Sequence, residues 1–129
     1  MQLNRLRHWL AGLLDSLPAA YRERSCQGSA WKHAFPAASN AQIRDFLGLF
    51  VRAFAFSDRH RLLFSPGDRV LDVYGHLYPK RWMPDALELE TLARDLKLTH
   101  GLELQARWHS DMTLGELFAW TRESGKAIA

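Results

Sequence analysis

The sequence lacks what several protein classes require. Its one cysteine, Cys26, has no partner within the chain, which excludes an internal disulfide scaffold and the cysteine-rich zinc sites. No apolar run approaches the ~20 residues that span a bilayer. There is no internal repeat and no low-complexity tract. The Walker loop, the G-x-G-x-x-G fingerprint and the G-x-S-x-G elbow are missing, as is H-E-x-x-H. The histidines, His8, His33, His60, His76, His100 and His109, are never three or four residues apart, so no helix presents two of them on one face. Cys26 shows no helix-start context of the kind that activates a thiol. No catalytic residue, metal ligand or cofactor is therefore expected from local pattern, and an enzyme pairing a histidine with a carboxylate through folding has no local support.

What is present is a chain of 129 residues, 47% hydrophobic and 24% charged. That composition suits one soluble domain able to bury roughly two-thirds of its unfolded surface, and it is too apolar for a disordered chain. The formal charge of +3 is uneven. Residues 1–64 hold nine Lys/Arg against four Asp/Glu, and residues 65–129 hold eight against ten. The arginines of the basic half stand singly, as solvated faces do, with no block announcing nucleic acid.

At the N-terminus, Arg5 and Arg7 precede the apolar stretch Trp9 to Leu14, which Asp15 cuts below the ~7–15 residues of a signal-peptide core. Leu3, Leu6, Leu10, Leu13, Leu14 and Leu17 have helical spacing, and Pro18 ends the stripe. The expectation is a helix packed on its own domain in a cytoplasmic protein. Ser25 to Ser39 reads as an irregular linker, with Trp31, His33 and Phe35 anchoring it to the core.

Three helix starts carry capping-box spacing. Ser39 and Gln42 open a helix whose face is Ile43, Phe46, Leu47, Phe50, Val51 and Phe54, with Arg44, Asp45 and Arg52 outside. Asp85 and Glu88 open a second, with Leu89, Leu92, Ala93 and Leu96 inward and Glu88, Glu90, Arg94, Asp95 and Lys97 outward. Gly101 suits the left-handed position past its end. Thr113 and Glu116 open a third, with Leu114, Leu117, Phe118 and Thr121 on one face. Between them, Phe64 to Asp68 reads as a turn, Val70 to Tyr78 as a short helix and Lys80 to Pro84 as a basic, aromatic connector. Leu102-Glu103-Leu104 is short and extended, a strand if a partner strand were present. The fold class these elements imply is an all-α bundle.

The ordered set Asp85-Ala86-Leu87, then Gly101-Leu102-Glu103-Leu104, then Thr113-Leu114-Gly115-Glu116, resembles the acyl carrier protein family over roughly residues 39–124. That family opens an acidic second helix with Asp-Ser-Leu and its last helix with Thr-hydrophobic-Gly-Glu. The resemblance implies an acyl-carrier-like helical bundle over 39–129, with residues 1–38 as an added N-terminal helix and linker. It also implies a partner-binding acidic helix bearing Asp85, Glu88, Glu90 and Asp95, which would meet a basic patch on a protein partner. The family's serine bears the 4′-phosphopantetheine arm through its hydroxyl. Ala86 stands there and has only a methyl group, so the arm has no acceptor, and Ser110 is no geometric substitute. The expected function is non-catalytic protein–protein interaction. The alternative is a nucleic-acid-binding accessory using Arg52, Arg59, Arg61, Lys80, Arg81 and Trp82, with phosphate contacts and base stacking.

Overall fold

The structure, a computed structural model, describes residues 17–77 and 87–128, with side chains as far as Glu123. The helix expected over Leu3 to Leu17, save Leu17 itself, the 80–84 connector, and Asp85 with Ala86 lie outside the described residues. Among those described, the chain is a bundle of helices: α1 (Ala19–Arg22), α2 (Gly28–Ala34), α3 (Asn40–Ala53), α4 (Val70–Leu77), α5 (Leu87–His100) and α6 (Leu114–Ile128). Two 3₁₀ turns, η1 (Asp58–Leu63) and η2 (Leu104–Ala106), complete it. The only ladder contact in that set is a single antiparallel bridge between Arg69 and Thr113. Leu102 to Leu104 forms no strand; Leu102 and Leu104 are buried, and the chain turns into η2.

The central helix α3 forms where its sequence signals are strongest. Gln42 N–H donates to Ser39 Oγ at 3.0 Å, and Gln42 Oε1 accepts from Ser39 N–H at 2.9 Å, so both sides of the capping box are made. All six residues of the expected apolar face are buried, with Leu49 and Ala53 beside them. The helix ends when Phe56 N–H reaches back to Val51 C=O (2.8 Å) through Ala55, held at φ 61°. That is the hydrogen-bond geometry of a Schellman stop, made here without the usual glycine. Helix α6 opens with the Thr113–Glu116 box (Glu116 N–H to Thr113 Oγ1, 3.1 Å) and buries Leu114, Leu117, Phe118 and Thr121 as expected. Its start is clamped to the 64–68 turn: Gly115 N–H donates to Pro66 C=O at 2.9 Å, and Leu114 N–H to Asp68 C=O at 2.9 Å. A Cβ on Gly115 would lie 2.9 Å from the Pro66 carbonyl oxygen, so glycine is what permits this approach.

The segment expected to be an irregular linker holds a helix. Gly28–Ala34 forms α2 without a side-chain cap, because burying Trp31 fixes it in place. Trp31 is fully buried, its Nε1–H donates to Phe64 C=O at 2.8 Å, and its ring meets Phe35, Phe46 and Phe118. His33, expected as an anchor, is exposed instead. Pro18, expected to end a helix, occupies the N-cap position of α1. Arg24 forks onto Asp68 (2.6 and 2.9 Å), whose carboxylate also accepts from Ser65 N–H at 2.7 Å. Residues 17–38 thus share one core with the rest, through Leu17, Tyr21, Trp31 and Ala38.

Candidate interaction surface

Helix α5 holds the described residues of the expected site, and its register sorts them differently. Leu92 and Leu96 are fully buried, while Leu89 and Ala93 are half-buried. Glu88 falls on the same i, i+4 line as Leu92 and Leu96, and it is 1% exposed. It therefore does not face a partner as expected. The phase of the helix against α3 decides this, and a charge count along the sequence cannot see it. Glu90 is exposed as expected. Asp95 is partly covered, lies 3.5 Å from Arg94, and borders a groove rich in arginine. The exposed charges of α5 are thus Glu90 with Arg94 and Lys97, the last bound to Glu103 at 3.0 Å. The outward face is mixed in sign rather than acidic.

Two residues of this face were missed in the sequence. Leu87 is 42% and Leu98 77% exposed, and they are the exposed large hydrophobics among the described residues. They stand eleven positions apart, which is about three turns at 3.6 residues per turn, so both lie on one face. Thr91 and Arg94 fall between them on that line. The signal was available: Leu98 is out of phase with the Leu92–Leu96 stripe and has no inward role.

The residues of the nucleic-acid alternative are only partly gathered. Arg52 and Arg61 line one groove, of about 550 Å³, between α3, η1 and α5, and Arg44 joins them there. Arg59 is exposed and does not line it, and Lys80 to Trp82 fall outside the described residues. His100, also on this groove, is pushed below the ordinary imidazole value by burial.

Among the described residues no three His, Cys, Asp or Glu side chains are grouped to hold a metal ion. His109 does meet a carboxylate, Glu116, at 2.8 Å, and this hydrogen bond lowers the Glu116 pKa. Glu116 already caps α6, so the pair fastens a helix start. Cys26 does have a helix start beside it, contrary to expectation: Gly28 N–H donates to its Sγ at 3.4 Å. No helix of the described residues is long and apolar enough to cross a membrane. No family model, curated protein or solved structure matches the chain.

Proposed function

We propose that this chain is a non-catalytic protein–protein interaction domain of acyl-carrier-like shape, free of phosphopantetheine and any other cofactor, that docks a partner through the outward face of α5. The observation that carries this reading is the pair Leu87 and Leu98. A large side chain left 77% exposed at one end of a helix face and another at the other end make a surface that a partner would remove from water. Burying both leucines at an interface supplies about 25 cal/mol per Å² of apolar area covered. Glu90 and Arg94 beside them set register by charge, and a basic group of the partner would meet Glu90. This is the helix by which carriers are recognised in the family that the chain resembles. Ala86 offers only a methyl group where that family has the hydroxyl on which the arm is built.

The reading places the protein in the cytoplasm and gives it no reaction of its own. Its test is capture of proteins from the native host's lysate on the immobilised wild type and on Leu98→Asp. A protein retained by the first and depleted at least about tenfold on the second is expected, since a charge in a desolvated contact costs more than 1.4 kcal/mol. Equal retention on both would place the interface elsewhere. Co-expression with a broad-specificity phosphopantetheinyl transferase should leave the intact mass unchanged, and gain of the arm would overturn the loss of carrier chemistry.

A further inference from the structure

The groove between α3, η1 and α5 has no part in the docking face just described. Three arginines converge on it: Arg44 and Arg52 from α3, and Arg61 from η1. Arg44 and Arg61 have neither a carboxylate nor a carbonyl partner among the described residues, and Arg59, outside the groove, has none either, whereas Arg22, Arg24, Arg69, Arg107 and Arg122 each hydrogen-bond an oxygen there. Arg52 has only Asp58, at 3.6 Å, with both side chains more than half exposed, a pair of small worth in water. Its guanidinium lies over Gly48, where a Cβ would be 3.4 Å from Nη1, an ordinary van der Waals contact. Asp45 and Asp95 stand on the walls.

We propose that this groove binds an acidic, extended peptide segment of a partner protein. Guanidinium forks bind carboxylates in paired hydrogen bonds, and two of the three here are uncommitted. Arg44 and Arg52 are two helical turns apart, about 12 Å along the axis at 1.5 Å per residue. An extended chain covers about 13 Å in four residues, so acidic side chains at that spacing reach both. The wall carboxylates choose between polyanions. A peptide offers backbone N–H groups that can donate to Asp45 and Asp95, whereas a phosphodiester backbone offers none. Among the described residues no Trp, Tyr or Phe lines the groove, so they offer a single strand no ring to stack on.

The test is the fluorescence anisotropy of a labelled, end-blocked hexaglutamate titrated with the whole chain at low salt, with labelled hexathymidylate in parallel. Wild type should bind the peptide more tightly than the oligonucleotide. Arg44→Gln/Arg61→Gln should weaken the peptide by at least about tenfold, and Arg59→Gln, the same charge lost outside the groove, by less than about twofold. Arg44→Gln alone, at an exposed position, serves should the double variant unfold, and it should still lower affinity more than Arg59→Gln does. The amide resonances of Gly48 and Thr99 should shift on titration while that of Gln105 stays. No binding by wild type, equal losses in the Arg44 and Arg59 variants, or tighter binding of the oligonucleotide would each overturn the proposal. None of these results bears on Leu87 and Leu98, so the groove and the docking face stand or fall separately.

Discussion

At the scale of single residues, burial decides what a charge or a ring does. Glu88 and Glu90 are two positions apart on one helix, yet the first is 1% exposed and the second lies in water. The Glu88 side chain packs on the Leu92–Leu96 line of the core, and truncating it leaves a cavity there. Glu88→Ala should therefore cost about 1–3 kcal/mol in denaturant unfolding, while Glu90→Ala should stay within about 0.5 kcal/mol. Equal, small effects would mean that α5 is in a different register. Tyr21 makes a second case. Burial, and then the charge of Asp68, raise its phenol from 10.0 to about 12. The unfolded chain gives up this proton near pH 10. The stability that goes with keeping the phenol neutral is therefore complete below pH 10 and is lost as pH rises through about 12. Phenolate absorbance of wild type minus Tyr21→Phe should rise near pH 12; a rise at pH 10 would place the ring in solvent.

At the scale of elements, what the sequence reveals depends on whether the signal is local. The capping boxes at Ser39 and Thr113 and the apolar faces of α3 and α6 are legible, because cap and stripe are short-range and both form as spaced. Gly101, at φ 70°, is where a helix stop was expected. Helix α2 was not legible: its N-cap, Gln27, makes no side-chain capping bond, and the helix exists because Trp31 reaches Phe64, 33 positions away. The same holds for Leu102 to Leu104, where alternation suits a strand but no strand is there to pair with it. On α5 the period was legible and the phase was not, which is why the leucines facing inward were found and Glu88 was misplaced. Leu92→Ala and Leu96→Ala should each cost about 2–5 kcal/mol, whereas Leu98→Ala should change stability by less than about 0.5 kcal/mol. Comparable losses at all three positions would show that Leu98 is covered by the chain's own core.

At the scale of the whole molecule, the N-terminal segment is part of the fold. Tyr21 packs against Phe64, and Trp31 against Phe35, Phe46 and Phe118, so residues 17–38 close a core that the rest leaves open. A chain starting at Ser39 should lose its cooperative thermal transition, since removal of a buried Trp alone costs about 3–5 kcal/mol of the 5–15 kcal/mol typical of a domain. A sharp transition in that shortened chain would show that residues 39–129 fold without the segment before them. A core closed in this way leaves two surfaces with unfinished business: the arginine groove and the outward face of α5. The central claim is that the second is where a partner sits. It is tested most directly by placing a photo-reactive amino acid at position 98 in the native host, with His76, exposed on α4, as the control position. Illumination should join the position-98 protein to one partner and leave the position-76 protein unjoined; adducts of equal yield at both positions, or none at 98, would contradict the account.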